Sequence, residues 1–336
     1  MPKLQATAYR HRRVPGGRTP APGARRAAAP LAAALVAALA LTSGCSVGPA
    51  GTRDLDDRPG AGQAEDQLVV ATTFTILADM VARVGGDRVR VESVTTPGAD
   101  VHQYEPTVED LKRVADADLV VSNGLGMDDW LLRFIDGTDA AHLVTSDGIE
   151  PLPIRAGNYT GRPNPHAWMS PVEGARYVRS IASALTELDP DGAAGYTARA
   201  DEYVADLRDM ATRAREAVAT VPADRRVLVT CEGAFSYLAR DLGLEELYLW
   251  PVNSENQGLP RQVTALIDRI REREIPAVFC ESTVSDAAMG QVAAETGTRL
   301  AGLLYVDSLS GPTGPVPTYL DLLDHDLETI TRELTS

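Results

Sequence analysis

Residues 191–219, DGAAGYTARADEYVADLRDMATRAREAVA, decide how the rest of the chain is read. The stretch is rich in Ala and Arg and holds no proline until Pro222, where the missing backbone donor stops a helix. It is expected to form one long helix. Before it, apolar β-rich runs at 67–72, 88–94, 117–122 and 142–145 alternate with helical spacing at 76–84, 108–115, 128–135 and 172–188. The first of these helices should stop at Gly85-Gly86. After it the pattern restarts, with strands at 227–230, 247–252, 277–281 and 300–306. Helices are expected at 235–242, 262–273, 286–296 and from about 318, with a loop at 253–260. Strands alternating with helices predict parallel sheets covered on both faces. Two such runs predict two α/β lobes, residues 67–190 and 222–336, joined by a rigid linking helix at 191–221. Ligands in open α/β sheets sit beyond the carboxyl ends of the strands, so the cleft between the lobes is the expected site.

Charge narrows the function. The chain has 336 residues, with 32 Lys+Arg against 47 Asp+Glu. All seven charged residues of 1–45 are basic, so residues 46–336 carry a net charge of −22. A body this acidic lacks the basic face that nucleic acid requires. Lysine occurs only at Lys3 and Lys112, which argues against a lysine cluster on anionic lipid.

The N-terminal 45 residues read as an address. An Arg-rich segment precedes the apolar run Ala27–Leu41, too short for a bilayer and suited to a signal-peptide core. It leads into Leu41-Thr42-Ser43-Gly44-Cys45, which resembles a bacterial lipobox with Cys45 as the lipidated residue, although Thr42 stands where Leu is usual. Residues 46–66 are Gly, Pro, Asp and Ala with little to bury, as in a flexible tether.

Five histidines are present. His11 lies in the signal. His102, within Pro97–Thr107, and His166, within Asn164–Pro171, sit in Pro-framed loops beyond strands. His142 starts a strand and His325 lies within a helix, so both read as structural. In the second lobe Glu232, Glu281 and Asp307 each stand at or just past the carboxyl end of a strand. Acids there often cap the next helix, a reading that fits Glu281 better than Asp307. Two imidazoles and two carboxylates would suit a divalent first-row metal, with carboxylate oxygens favouring Mn(II). There is no P-loop, Gly-x-Ser-x-Gly or His-Glu-x-x-His, and Gly124-Leu-Gly126 is an incomplete dinucleotide fingerprint. Cys231 and Cys280 fall on the first and third strands of the second lobe. Two buried free thiols are favoured there over a disulfide, although neighbouring strands in an oxidising compartment would permit one.

Several long motifs, in order, resemble the metal-binding lipoprotein subunits of bacterial ABC importers for manganese, zinc and iron. They are Val69–Asp79, Pro97–Thr107, Ala117–Trp130, Asn164–Pro171, Thr230–Phe235, Phe279–Ser282 and Tyr305–Ser308. The resemblance implies one metal held between the lobes by His102 and His166 from the first and Glu232 and Asp307 from the second. Glu281 would stand behind these ligands. Zinc-preferring members generally have His where this chain has Glu232, and often a His-rich loop, which this chain lacks. A harder oxygen ligand shifts preference towards Mn(II) or Fe(II) without excluding Zn(II). Cys231 departs from the small hydroxyl residue usual in the family. The implied protein is not an enzyme. It is a monomer, anchored by lipid to the outer face of the cell membrane, that captures Mn(II) and hands it to a permease driven by an ATPase. Binding should weaken as protons compete for the imidazoles. Rival readings are the same fold taking Zn(II) or Fe(II), a metallohydrolase, and a metal-free adhesin lipoprotein.

Overall fold

The computed structural model describes residues 67–135, 137–252 and 260–335. The expected signal peptide, Cys45, the tether at 46–66 and the loop expected at 253–260, all but its last residue, lie outside the described residues.

In the first lobe β1 (Leu68–Thr72), β2 (Val89–Ser93), β3 (Leu119–Ser122) and β4 (Ala141–Val144) form one parallel sheet in the order β2-β1-β3-β4. Helices α1 (Thr75–Gly85), α2 (Val108–Ala115), α3 (Asp129–Ile135) and α4 (Pro171–Leu188) make or follow the crossovers that parallel pairing demands. Local chemistry sets their starts. Thr107 and Asp110 form a reciprocal capping box on α2. The Ser170 hydroxyl accepts the Val172 and Glu173 N–H groups, and Pro171 takes the first helical position of α4, where its missing donor costs nothing.

The long helix α5 runs from Ala193 to Ala219 as one piece, after a short 3₁₀ turn at Pro190–Gly192. The second lobe follows with β5 (Val227–Glu232), α6 (Ser236–Leu242), β6 (Glu245–Trp250), α7 (Pro260–Arg273), β7 (Ala277–Glu281), α8 (Ala287–Thr296), β8 (Arg299–Leu304) and α9 (Tyr319–Thr335). Its strands pair as two parallel ladders, β5 with β6 and β7 with β8, rather than as one continuous sheet. β5 and β7 still lie side by side, with 4.9 Å between the Cα atoms of Cys231 and Cys280, an ordinary strand spacing.

Those two cysteines are joined as a disulfide, which corrects the free-thiol expectation. The reason is tertiary: the order of β5 and β7 in the lobe puts the residues opposite each other, and spacing along the chain does not reveal strand order. A second correction concerns Asp307. β8 ends at Leu304, not Val306, because its partner β7 ends at Glu281, so Asp307 sits in the segment beyond the strand.

Alternation along the strands explains the layers. Val70, Leu119 and Val121 of the first sheet, and Leu228, Ala277 and Phe279 of the second lobe, enter one central core with α1, α4, α5 and α9. Their neighbours face outwards into smaller cores. Ala71 and Val120 meet α2 and α3, while Val229, Val278 and the disulfide meet α7 and α8. The lobes therefore share one uninterrupted apolar core. Polar bonds cross it too: the Trp168 indole donates to the Val306 carbonyl at 3.0 Å, and the Leu309 N–H to Thr75 Oγ1 at 2.9 Å.

Candidate metal centre

Each of the four sequence-selected residues reaches the junction of the lobes from a different segment. His102 follows the turn at Pro97–Asp100, where Asp100 Oδ1 accepts the His102 backbone N–H at 2.9 Å. His166 lies just before the 3₁₀ turn Ala167–Met169. Glu232 is the last residue of β5, and Asp307 lies beyond β8. His102 Nε2 and His166 Nε2 are 3.0 Å apart. Glu232 Oε1 stands 3.4 and 3.5 Å from the two nitrogens, and Asp307 Oδ1 stands 3.8 and 3.9 Å from them. Donors about 2.1 Å from one tetrahedral ion would be about 3.4 Å apart, so these separations fit a single metal with small adjustments.

Burial makes the cluster costly without compensation. The side chains of His166, Glu232 and Asp307 are fully buried, and that of His102 is only 6% exposed. Gathering two carboxylates here raises a desolvation and repulsion cost that a divalent cation offsets. Burial, and then the adjacent His102 ring, hold the His166 pKa well below the usual imidazole value. His166 is thus neutral near pH 7, the form that can coordinate a metal. A cleft of about 340 Å³ opens above His102, lined also by Leu125, Tyr159, Arg162, Pro165 and Val252. Leu125 has φ +55° between two glycines that also have positive φ, and a Cβ on Gly124 would stand 2.4 Å from Val144 Cγ1.

The residues behind the four orient them. Asn164 Oδ1 accepts both the His166 backbone N–H at 3.0 Å and, with His166 as the Nδ1–H tautomer, the ring Nδ1–H at 2.9 Å. That tautomer turns the Nε2 lone pair towards the cluster. Thr283 donates its hydroxyl to Asp307 Oδ2 at 3.2 Å. Glu281 receives the Glu232 backbone N–H at 3.2 and 3.3 Å, next to the cluster. Burial, opposed by backbone hydrogen bonds and aided by Asp307, pushes its pKa up to about 8. His142 and His325 lie apart from the cluster, with Nε2 at 2.8 Å from Ser122 Oγ and 2.9 Å from the Leu303 carbonyl.

Asn164 lies within one of the sequence motifs, Asn164–Pro171, but is not itself among the candidate ligands. The available signal was the Asn-Pro-His spacing, since an Asn side chain habitually accepts the N–H two residues on. Thr283 carried no such signal, because only the fold brings it to Asp307.

Two lobes sharing a core carry at their junction a buried cluster of two histidines and two carboxylates whose geometry could hold one small cation. The family model described as "ZnuA: Zinc-uptake complex component A periplasmic" matches residues 70–333, and the chain belongs to that family of metal-ion ABC-transporter substrate-binding proteins. It is 48% identical over 264 residues to "Iron-binding protein YfeA" of Yersinia pestis, covering 78% of this chain and 85% of that protein. It is 32% identical over 277 residues to "Manganese-binding lipoprotein MntA" of Halalkalibacterium halodurans, covering 82% and 91%. Among solved structures it is similar to the Mn-bound periplasmic metal binding protein from Candidatus Liberibacter asiaticus, with TM-score 0.75 and 37% identity over 80% of this chain and all of that one. The periplasmic zinc binding protein TroA from Treponema pallidum shares the fold, with TM-score 0.74 at 24% identity and the same coverage. Among the described residues no helix is long and apolar enough to cross a membrane.

Proposed function

We propose that this protein captures Mn(II) outside the cell membrane and delivers it to an ABC permease driven by a cytoplasmic ATPase. The metal is cargo, held by His102, His166, Glu232 and Asp307. The observation that carries the reading is the pairing of two neutral-capable imidazoles with two buried carboxylates at spacings suited to one ion. Glu232, in place of a third histidine, makes the donor set harder and favours Mn(II). Fe(II) is the second reading, favoured by the 48% identity to a relative named for iron binding. Zn(II) is the competitor with higher intrinsic affinity for such sites. With four protein donors, the site leaves little room for the open coordination position of a metallohydrolase. The protein acts as a monomer tethered through lipid on Cys45, and release involves local rearrangement of the second lobe while the shared core holds the lobes together.

Elemental analysis of the purified protein, followed by competitive Mn(II), Fe(II) and Zn(II) titration read by melting temperature, tests this. Mn(II) should stabilise reversibly, and Glu232→His should tilt preference towards Zn(II). Stabilisation by Zn(II) alone, or a Glu232→His variant with unchanged preference, would overturn the metal assignment. No metal-dependent stabilisation would overturn the cargo reading and favour a metal-free surface protein.

A further inference from the structure

We propose that Ser236 and Glu246 are positioning residues for His166, acting through Asn164, so that the seating of the second lobe's α6 against the first lobe sets the orientation of a first-lobe ligand. This rests on the reading of His166 as a metal ligand.

The geometry is a chain of hydrogen bonds with one direction. The His166 Nδ1–H donates to Asn164 Oδ1 at 2.9 Å. The Asn164 amide donates to Ser236 Oγ at 3.2 Å, and the Ser236 hydroxyl donates to Glu246 Oε2. The other Glu246 oxygen accepts the Phe235 N–H at 2.8 Å, beside the first turn of α6. The polarity is set at a second point, because the Asn164 amide also donates to the Gly233 carbonyl at 2.6 Å, and a carbonyl can only accept. Hydrogen bonds linked head to tail polarise one another, and Glu246 at the far end, whose pKa burial pushes up to about 7, strengthens the whole series in its ionised form. The effect at the near end is a better acceptor for the His166 Nδ1–H, and therefore a more basic Nε2 facing the metal.

The chain also crosses between lobes. Asn164 belongs to the loop before α4, whereas Gly233, Ser236 and Glu246 belong to β5, α6 and β6 or their junctions. The Tyr237 hydroxyl strengthens the grip by donating to the Asn164 carbonyl at 2.8 Å while accepting the Leu152 N–H at 3.1 Å. Gly233 directly follows Glu232. One amide side chain thus ties a nitrogen donor of the first lobe to the backbone beside an oxygen donor of the second. A shift of residues 233–236 would disturb both donors together, which suits a site that must bind tightly and then release.

The competing role for Glu246 is only to satisfy N–H groups at the start of α6. Metal titration of Ser236→Ala, Glu246→Gln, Ser236→Thr and His166→Ala, using Mn(II) alone, separates the two. The ¹⁵N resonance of His166 Nδ1 in the metal-free proteins gives a second readout. Ser236→Ala is expected to weaken Mn(II) binding about 10-fold, in the range known for groups that orient metal ligands. Glu246→Gln should act in the same direction, and both should move the Nδ1 resonance. Ser236→Thr, which keeps the hydroxyl, should restore both. If Ser236→Ala and Glu246→Gln lower the melting temperature but leave affinity and resonance unchanged, capping alone explains the pair and the proposal falls. Should Ser236→Ala fail to fold, Glu246→Gln and Ser236→Thr decide the same point. Undiminished binding by His166→Ala would instead overturn the ligand reading itself.

Discussion

The two lobes hold their halves of the site by different means. In the first lobe, β1 pairs with β2 over five residues and with β3 over three, all within one continuous sheet. Its two donors stand on loops outside that sheet, fixed by proline turns and by Asn164. In the second lobe the sheet divides at the place where the donors are carried. No backbone ladder joins β5 to β7. The disulfide links Cys231 to Cys280, and one residue further on the Glu281 carboxylate takes the Glu232 N–H. A ladder distributes its holding force over many bonds, whereas here a covalent link and one side chain do the work next to a donor. On the proposed function, the second lobe is the place where a small local change would alter the site.

Breaking the covalent link tests that contrast most severely. The disulfide spans 49 residues, so Cys231→Ser with Cys280→Ser should cost about 4 kcal/mol by the loop-entropy relation, read from denaturant unfolding of the metal-free protein. A loss under about 1 kcal/mol would mean that packing alone holds β5 to β7. Next in size is the loss of a donor from each lobe. His166→Ala and Glu232→Ala should each weaken Mn(II) binding by more than about 100-fold, exceeding the usual cost of losing an orienting group. Isothermal titration checks this, and a large asymmetry between the two would show that one lobe dominates capture. Asn164→Ala should cost roughly 10- to 100-fold by letting the His166 ring turn.

The smallest effect is a pH dependence in the metal-free protein. Glu281 has its folded pKa raised to about 8. Between the ordinary carboxylate value and 8 the native state holds a proton that the unfolded chain has lost, so stability falls as pH rises, by at most about 1.4 kcal/mol per unit. His166 is lowered and acts oppositely: below the ordinary imidazole value the unfolded chain gains a proton first, and stability falls as pH falls. Burial also pushes Glu246 up to about 7, so melting curves should show a decline from about pH 6.5 to 8 whose part above pH 7 is lost in Glu281→Gln. A decline above pH 7 that survives in Glu281→Gln would mean another group carries it.

Much of this was legible in the sequence. Period-two and period-3.6 patterning located every strand and helix above, and proline and glycine marked the stops. His102 and His166 in proline-framed loops, and Glu232, Glu281 and Asp307 at or just past strand ends, were legible as candidates by residue type and place, while the choice of Glu232 and Asp307 over Glu281 rested on the family resemblance. The disulfide was legible only as the less favoured of two readings, and the divided second sheet was not legible, because strand order is a property of packing. Neither was the path from His166 through Asn164 and Ser236 to Glu246, whose members are ordinary polar residues at unrelated spacings.

The sequence by itself therefore determined the alternation of elements, the long helix between the lobes and the residues able to bind a cation, since these depend on local propensity and side-chain chemistry. Only the tertiary structure decided that four donors from four separate segments meet within 4.8 Å, that two cysteines far apart in the chain are bonded, and that one amide clasps both lobes. Such distances arise when apolar faces from the whole chain are buried together, and no segment carries that information alone.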